Sequence, residues 1–493
     1  MSAEPMAVTG LEASFEYDVT QIIRLFSETD DFRFFSIPPH AEGLQLRFQD
    51  LEAGGYCCAL WDGGQERWED RETLSLPETA GPEERQRELK RLCLRLAWRA
   101  LSHHTGIRPP WGILVGVRPT KVAHELLHRG LSQEAALQVL EDRFCMHRDK
   151  GALILQVARK EARFIQPADP AAYSLYYGVP FCPSRCSYCS FPAFTGPAKT
   201  RLMPAYAEAM MAEGRAVAQG LAHRWVDSVY IGGGTPTMLT APQLDALLTH
   251  IRRDFDLSRC REITVEAGRP DTITAEKLAV LKSHGVDRIC LNPQSFSDAT
   301  LARIGRRHEA AGFYEALELI RRVGFKTLNM DIILGLPGET EADVAQTLQA
   351  VAAVAPENLT VHTLAVKRGS ELRNQERESA SVAMMEAMLA LSAQAAGAMG
   401  LEPYYMYRQK FMLANLENVG YAKPGHEGIY NMQIMEEQQD ILSFGTGGVS
   451  KICFPAENRH ERVPNVRGLE EYLERHPEMA RRKLEALAGK EDQ

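Results

Sequence analysis

The strongest constraint on the fold is a regular alternation of strand-like and helix-like segments between residues 175 and 365. Six short apolar segments are separated by longer segments whose apolar residues recur at helical spacing. This order is typical of parallel βαβ units. The strand-like segments are LYYGV, VDSVYI, EITVEA, DRICLN, TLNMDIIL and NLTVHTLA. The pattern predicts an α/β core whose strands form either an open sheet or an incomplete barrel.

Local capping signals support these element boundaries. Thr240 followed by Gln243 predicts a capping box at a helix N-terminus, and Thr340 occupies the corresponding place before a later helix. Gly285 and Gly324 end two predicted helices, as residues in the left-handed conformation do. In either form of the sheet, ligands bind at the carboxyl ends of the strands.

The alternation is absent from both flanking regions. The first region has a helix, FEYDVTQIIRLF, two strand-like segments, LQLRF and YCCALW, and further helices, and a linker is expected at 166–170. The last region has a helix, VAMMEAMLALSAQAAGAMG, a strand-like segment, EPYYMYRQKF, and a charged final helix. We therefore predict an N-terminal α/β accessory domain at 1–168, the alternating core at 169–375 and a C-terminal substrate-covering α+β extension at 376–493.

The composition narrows the class of partner. A hydrophobic fraction of 45% and a charged fraction of 25% are those of a folded protein. The net charge of −9 argues against a broad surface for nucleic acid and favours small molecules. The N-terminus shows no signal-peptide pattern, and no apolar run is long enough to span a membrane. We expect a cytoplasmic protein in a reducing environment.

Three cysteines lie within eight positions directly after the first predicted strand. They are Cys182, Cys186 and Cys189, in the stretch FCPSRCSYCSF. So dense a group predicts a metal or redox site. Structural zinc normally takes four protein ligands, and the nearest following histidine is His223. Three thiolates can instead hold three irons of a [4Fe–4S] cluster and leave the fourth iron open to an external ligand.

Further polar and glycine-rich positions follow the next predicted strands. YIGGGTPTML ends the second strand, and its successive glycines let the backbone approach a ligand closely, although such a motif alone is only a tight turn. Glu266 ends the third strand, Gln294 follows the fourth and Asp331 interrupts the fifth. Because a carboxylate in an apolar strand is costly unless it is paired or faces a ligand, we expect these groups to converge on one rim.

The cysteine spacing and its position resemble the radical S-adenosylmethionine (SAM) superfamily, whose members carry this loop after the first strand of a partial (β/α)6 barrel. The resemblance implies an α/β fold with a TIM-like partial (β/α)6 barrel. It also implies a [4Fe–4S] cluster held by Cys182, Cys186 and Cys189, with SAM chelating the open iron. One electron from the cluster would then cleave SAM to a 5′-deoxyadenosyl radical.

The order of the motifs narrows this resemblance to the oxygen-independent coproporphyrinogen III oxidase group. LYYGVPFCPSRCSYC, GGGTPT, VEAGRP, NPQSF, NMDIILGLPGET and SFGTGGVS occur in the family's order between residues 173 and 455. Matching positions imply that Tyr176, Gly233 and Glu266 contact the cluster-bound cofactor. The positions implied to line a second cofactor or the substrate space are Tyr188, Gly234, Thr235, Gln294, Arg306, Asp331 and Ala365. A solvated helix position is the alternative for Arg306.

The activity that the resemblance implies is oxidative decarboxylation of coproporphyrinogen III to protoporphyrinogen IX in haem biosynthesis. An electron donor of the flavodoxin or ferredoxin type would serve it. Arg368, Arg408 and Lys410 are candidate partners for the carboxylates of the tetrapyrrole substrate, with surface solvation as the alternative for each. No catalytic side chain is identified.

Departures from the oxidase pattern leave other functions open. The third cysteine is followed by Ser190 and Phe191, which are nearer to the related haem chaperones, and the N-terminal strap of the oxidase is missing. The long N-terminal region, WGILVGVRP and the tail YYMYRQKFMLANLENVGYAKPG resemble the long coproporphyrinogen dehydrogenase branch of Gram-positive bacteria, which we favour. The alternatives are a haem carrier, a related radical enzyme that acts on haem, and a zinc-stabilised protein without radical chemistry.

Overall fold

The computed structural model divides the chain into two compact units, Met1–Leu155 and Gln156–Gln493. The described residues are 6–27, 32–36, 43–51, 54–77, 79–116, 118–306, 310–367, 369–374, 380–409, 412–457 and 459–491. Two of the candidate carboxylate partners, Arg368 and Lys410, lie outside them. The three-domain division at 168 and 375 stays a prediction.

The first unit is built on a five-stranded mixed sheet with the order β2-β1-β3-β4-β5. Its strands are β1 Met6–Thr9, β2 Phe32–Phe35, β3 Gln45–Leu51, β4 Gly55–Asp62 and β5 Gln65–Thr73. Its helices are α1 Glu16–Ile23, α2 Pro82–Thr105, α3 Thr120–His128 and α4 Gln133–Phe144, and α5 Arg148–Ile165 runs across the unit boundary. The two predicted strands are β3 and β4, which pair antiparallel. The small α/β fold expected for this region is confirmed.

The second unit contains the six predicted strands side by side and parallel, in chain order. They are β6 Ala172–Val179, β7 Trp225–Gly233, β8 Glu262–Glu266, β9 Arg288–Cys290, β10 Thr327–Leu334 and β11 Asn358–Thr363. The helices between them are α6 Pro197–Thr200, α7 Met203–Ala218, α8 Ala241–Asp254, α9 Ala275–Ser283, α10 Asp298–Arg303, α11 Ala310–Val323 and α12 Glu341–Val354. This is the partial (β/α)6 barrel that the resemblance to the radical SAM superfamily implied.

The C-terminal region extends the same sheet at both edges, giving eleven strands with the order β12-β13-β11-β10-β9-β8-β7-β6-β14-β15-β16. Its strands are β12 Glu402–Tyr407, β13 Asn418–Ala422, β14 Asp440–Phe444, β15 Val449–Phe454 and β16 Arg459–Pro464. Its helices are α13 Val382–Ala398, α14 Ile429–Glu436 and α15 Leu469–Glu491. Strand β14 pairs parallel with β6, and β13 pairs antiparallel with β11. The predicted α+β character of this region is confirmed.

Alternation along the strands separates an outer apolar face from an inner polar face. Tyr177 on β6 faces the helices, where its hydroxyl lies 2.9 Å from Nε2 of His250 on α8. Its neighbour Tyr176 therefore faces the barrel interior. Capping predictions hold as well, because Thr240 and Thr340 both form capping boxes. No helix among the described residues is long and apolar enough to cross a membrane.

Candidate functional site

The three clustered cysteines occupy a loop that begins where β6 ends. All three are free thiols, and the backbone N–H of Cys189 donates to the carbonyl of Cys186 at 3.0 Å, which closes a tight turn. Burial raises the pKa of the Cys182 thiol to about 11, and the Cys189 and Cys186 thiols shift it in the same direction. A bound metal reverses this effect, since coordination deprotonates a thiol. A set of three partly exposed thiols in one loop is therefore suited to a metal centre.

The cysteine loop rests on the segment that follows α10. The backbone N–H of Ser187 donates to the carbonyl of Ile304 at 3.0 Å, and the Ser184 hydroxyl donates to the carbonyl of Gly305 at 3.0 Å. The buried Arg269 donates to the Ser184 hydroxyl at 3.1 Å and lies 4.0 Å from the Cys186 sulfur. These contacts hold the loop over the carboxyl ends of the strands.

The glycine turn at the end of β7 packs against the same loop. Gly233 has a φ of +109°, in the region that favours glycine, and the N–H of Gly234 donates to the carbonyl of Val179 at 2.8 Å. A Cβ atom on Gly234 would lie 2.9 Å from the Cys182 sulfur, closer than the packing allows. The Thr235 hydroxyl donates to that sulfur at 3.4 Å. The turn therefore brings its backbone directly beside the cysteines.

Three stacked tyrosines fill the interior next to Glu266. The rings of Tyr176 and Tyr230 are 6.1 Å apart, and those of Tyr230 and Tyr430 are 4.6 Å apart. The Tyr230 hydroxyl donates to the Glu266 carboxylate at 2.6 Å. Burial raises the pKa of Glu266 to about 7; the charge of Asp331 also raises it, and the Tyr230 hydrogen bond opposes the rise. Glu266 can therefore exchange a proton near neutral pH.

Asp331, on β10, faces the same interior, but its pKa shifts in the opposite direction from that of Glu266. Burial alone would raise its pKa, yet hydrogen bonding and the charge of His362 bring it below the ordinary value. The Asn329 amide donates to its Oδ1 at 2.9 Å. Two carboxylates on the inner face of the barrel thus have pKa values that shift in opposite directions, an arrangement typical of sites that handle protons or charged ligands.

Gln294 lies beside Asp331 in a strained backbone conformation. Its φ is +67°, its N–H donates to the carbonyl of Asp331 at 3.0 Å, and its own carbonyl accepts from Ile333 at 3.0 Å. Its buried side-chain oxygen has no hydrogen-bond partner within the part of the chain that the structure describes. Because leaving such an acceptor unpaired is costly, this oxygen is suited to receive a hydrogen bond from a ligand.

Tyr188 lies within the cysteine loop, Arg306 follows α10 and Ala365 follows β11. Tyr188 packs against an apolar cluster of Leu301, Ile304, Ile333, Leu336, Leu364 and Leu372. Ala365 forms an isolated antiparallel bridge with Met412. The alternative of a solvated helix position for Arg306 is wrong, because its buried guanidinium donates to the carbonyls of Asn292 at 2.5 Å and Gly268 at 3.3 Å.

Of the carboxylate-partner candidates, the described one is Arg408. Only 2% of it is exposed, so surface solvation is wrong for this residue. It donates to the carbonyl of Asn415 at 2.9 Å, and burial lowers its pKa to about 10. Its guanidinium therefore supports the C-terminal segment.

Sequence reasoning missed several residues that shape this site. They are Tyr230, Arg269, His362, Tyr407 and Tyr430. Tyr230 and His362 could have been found from the sequence. Side chains alternate along a strand, and this alternation places both residues on the inner faces of their strands. Arg269 lies within the VEAGRP motif without being singled out. Tyr407, on β12, and Tyr430, on α14, are brought to the site only by the packing of the C-terminal elements against the barrel.

Comparison with known proteins agrees with this geometry. The profile of the Radical SAM superfamily matches residues 176–351. The oxygen-independent coproporphyrinogen-III oxidase-like protein HemZ of Bacillus subtilis is 40% identical over 403 residues, which cover 78% of this chain and 79% of that protein. This chain belongs to the coproporphyrinogen-III oxidase-like group of the radical SAM superfamily.

Two further proteins are similar to this radical SAM protein. The heme chaperone HemW of B. subtilis is 30% identical over 56% of this chain and 69% of its own length. Coproporphyrinogen III oxidase, HemN, from Escherichia coli shares the fold, with a TM-score of 0.52 and 23% identity over 66% of this chain and 73% of that one. The fold and the superfamily expected from the motifs are confirmed.

Membership of the superfamily brings a [4Fe–4S] cluster and SAM as cofactors. The residues of this radical SAM protein fit both. Three free thiols supply the number of ligands that leaves one iron open, and the missing Cβ of Gly234 leaves room beside the Cys182 sulfur. The oxygen of Gln294, which has no partner among the described residues, and the carboxylates of Glu266 and Asp331 offer acceptors on the inner face of the barrel.

Proposed function

We propose that this protein is an enzyme of haem biosynthesis that converts coproporphyrinogen III to protoporphyrinogen IX without oxygen. In each of two decarboxylations the β-carbon of a propionate would lose a hydrogen atom, and loss of carbon dioxide, with transfer of one electron to a one-electron acceptor, would leave a vinyl group. The observation that carries the proposal is the meeting of the three-cysteine loop and the glycine turn on a barrel whose inner face carries the carboxylates Glu266 and Asp331. The similarity to the oxidase-like HemZ supports this choice of chemistry.

The side chains of the rim have distinct proposed roles. The three cysteines would hold the cluster, while Tyr176, Gly233 and Glu266 would contact SAM. The chemistry that the bound cluster and SAM supply is one-electron cleavage to a 5′-deoxyadenosyl radical, which takes the hydrogen atom from the substrate. The proposed reductant is a small protein of the flavodoxin or ferredoxin class.

The remaining rim residues are proposed to contact a second cofactor or the substrate. These residues are Tyr188, Gly234, Thr235, Gln294, Arg306, Asp331 and Ala365. The tyrosine stack lies beside Glu266, whose pKa is raised mainly by burial.

A haem carrier is the second candidate, and one feature of the cysteine loop favours it. Phe191, two positions after the third cysteine, is 59% exposed and offers an apolar surface beside the proposed cluster. An exposed aromatic ring can stack on a porphyrin face. The similarity to heme chaperones over about half of the chain supports the same reading.

An anaerobic assay of the reduced, cluster-loaded protein with SAM and coproporphyrinogen III tests the proposal. We expect 5′-deoxyadenosine together with a porphyrinogen that has two fewer carboxylates. Iron and acid-labile sulfide near four per chain would exclude the zinc alternative. Retention of haem without turnover of the porphyrinogen would instead establish the carrier.

A pair of cysteine variants provides the internal control. Cys186→Ala removes a proposed cluster ligand, so SAM cleavage is expected to disappear while most of the fold is retained. Cys260→Ala removes a thiol that donates to the carbonyl of Glu262, outside the cysteine loop, and should leave cleavage intact. Equal cleavage by both variants would contradict the assignment of Cys186.

A further inference from the structure

The loop that carries the three cysteines adjoins two other segments of the chain. The guanidinium of Arg185 donates to the carbonyl of Gly369 at 2.9 Å, and a Cβ atom on Gly369 would lie 3.5 Å from the carbonyl oxygen of Ser190. A Cβ atom on Gly305 would lie 3.0 Å from the carbonyl oxygen of Arg185. We call this set of adjoining segments the cysteine-loop face; it comprises residues 182–194, 303–306, 366–367 and 369–373.

The cysteine-loop face has an excess of positive charge. Within these ranges there are five basic residues and one acidic residue, which give a net charge of +4, whereas the whole chain has a net charge of −9. The six residues are Arg185, Arg303, Arg306, Lys367, Glu371 and Arg373. A local charge of opposite sign to that of the whole protein indicates a surface that attracts a negatively charged partner.

Two of the basic side chains are already engaged within the protein. Arg306 is buried and donates to two backbone carbonyls. Arg303 donates to the carbonyl of Pro337, and its charge interacts with the carboxylates of Glu339 and Asp343. The charges that remain available to a partner are therefore those of Arg185, Lys367 and Arg373.

These three available side chains lie around the cysteines. Arg185 and Arg373 are exposed, and the N–H of Leu372, beside Arg373, donates to the carbonyl of Ser187 at 3.1 Å. Burial lowers the pKa of Lys367 while the Cys189 thiol acts in the opposite direction, which places the ammonium group near that cysteine. None of the three forms an ion pair with another residue of the described ranges.

An exposed aromatic ring lies on the same face. Phe191 directly follows Ser190, whose carbonyl lies against Gly369, and its side chain is exposed to solvent. Aromatic residues and arginine are the types that are enriched where one protein contacts another. An apolar ring with basic residues around it therefore fits the docking of a protein that carries acidic residues.

The position of the face beside the cysteines indicates what this partner supplies. The three cysteines are partly exposed, and the proposed function requires that one electron reach the cluster they hold. Electron transfer slows steeply with the distance between redox centres, so a carrier has to dock close to the cysteine loop. Complementary charge on the two surfaces speeds the encounter and fixes the orientation of the carrier.

We propose that the cysteine-loop face is the docking surface of an acidic one-electron carrier protein, with Arg185, Lys367 and Arg373 as the charged contacts and Phe191 as the apolar contact. This inference rests on the proposed function, because the transferred electron is consumed in SAM cleavage. In the docked complex the carrier is oxidised by one electron and the cluster is reduced by one. No covalent bond forms between the two proteins.

Two measurements on the anaerobic, cluster-loaded protein test the inference, with an acidic flavodoxin as the probe. Calorimetric titration with oxidised flavodoxin gives the dissociation constant, and stopped-flow mixing with reduced flavodoxin gives the rate of cluster reduction without any porphyrinogen. Both should weaken steeply as ionic strength rises, because salt screens the charges. Arg185→Glu and Arg373→Glu should each weaken binding and slow reduction about tenfold.

Two controls show whether such losses come from docking. Dithionite is a small reductant that needs no docking surface, so both variants should be reduced by it at the rate of the unaltered protein and should keep their iron. Arg322→Glu makes the same charge change on α11, which ends at Val323, just before β10 begins at Thr327. It therefore lies at the opposite end of the strands from the cysteine loop and should behave as the unaltered protein does.

The outcomes separate this inference from the proposed function. If binding is insensitive to salt, or if Arg373→Glu binds and accepts electrons from flavodoxin normally, the docking surface is wrong while the proposed function stands. If both variants lose turnover of coproporphyrinogen III equally with dithionite and with flavodoxin, the basic residues serve the substrate carboxylates, and the inference is equally wrong. If the unaltered protein forms no 5′-deoxyadenosine with dithionite and SAM, the proposed function itself fails.

Discussion

Tyr230 on β7 donates a hydrogen bond of 2.6 Å to Glu266 on β8, and this contact opposes the rise in the pKa of the carboxyl group that burial causes. Burial raises the pKa of Glu266 to about 7, and the Tyr230 hydroxyl acts against the rise by stabilising the carboxylate. A pKa above the unfolded value adds stability that is complete below the ordinary glutamate pKa and is lost as pH rises through the folded pKa.

Tyr230→Phe should therefore raise the pKa of Glu266 above 7. The stacked ring remains, so the main change is the loss of one hydrogen bond, worth about 1 kcal/mol. We expect the fall in melting temperature with rising pH to extend beyond pH 7 in this variant. Tyr314→Phe, on the exposed outer face of α11, should show the pH profile of the unaltered protein. Identical profiles for all three proteins would show that the hydroxyl does not govern Glu266.

Gly234→Ala should impair assembly of the cluster without unfolding the barrel. The new methyl group would lie 2.9 Å from both the Cys182 sulfur and the carbonyl oxygen of Phe181, so the loop or the turn must move. We expect a clear loss of bound iron per chain after anaerobic reconstitution. Gly397→Ala is the matched control, since nothing lies within 4 Å of its Cβ position in helix α13. That change should keep the iron content and stabilise the helix by up to about 1 kcal/mol.

Arg269→Met should make the reduction potential of the cluster more negative. The buried guanidinium lies 4.0 Å from the Cys186 sulfur, and hydrogen bonds and positive charge near the sulfurs stabilise a reduced cluster. A redox titration followed by electron paramagnetic resonance measures the potential. Arg253→Met, which removes an exposed charge from helix α8, serves as the control. An unchanged potential in Arg269→Met would show that this arginine only supports the loop.

The six parallel strands were predictable from sequence because they are local apolar segments followed by capped helices, whereas their closure into a partial barrel was implied only by the family resemblance. The strands outside the barrel were harder to predict from the sequence. Strand β5, QERWEDRET, has charged residues on both faces and little buried surface, so it carries no two-residue apolar pattern. Strand β16, RHERVP, is similarly polar. Both depend on pairing with a neighbouring strand, which is a non-local interaction that no local pattern reveals.

Some residues of the site were likewise predictable from the sequence, and others were not. The cysteines and the glycine turn were identifiable because each motif follows a predicted strand, and parallel strands end at one rim. Arg306 was ambiguous, since a helix-like sequence does not show that the guanidinium satisfies two buried carbonyls. Tyr430 joins the tyrosine stack from a helix about 200 positions after Tyr230, so its contact depends on the tertiary fold.

A buried ion pair near the rim allows a sharp test of stability. Lys483 on α15 donates to Glu213 on α7 at 2.5 Å, and both side chains are fully buried. Lys483→Met leaves the Glu213 charge without its cation, which should cost about 3–5 kcal/mol and lower the melting temperature. Adding Glu213→Gln to that variant should recover part of the loss, because the uncompensated charge is removed. Arg481→Met, at an exposed pair on the same helix, should cost at most about 1 kcal/mol. If Lys483→Met has the same melting temperature as the Arg481→Met control, the buried pair makes no net contribution to holding α15 against the barrel.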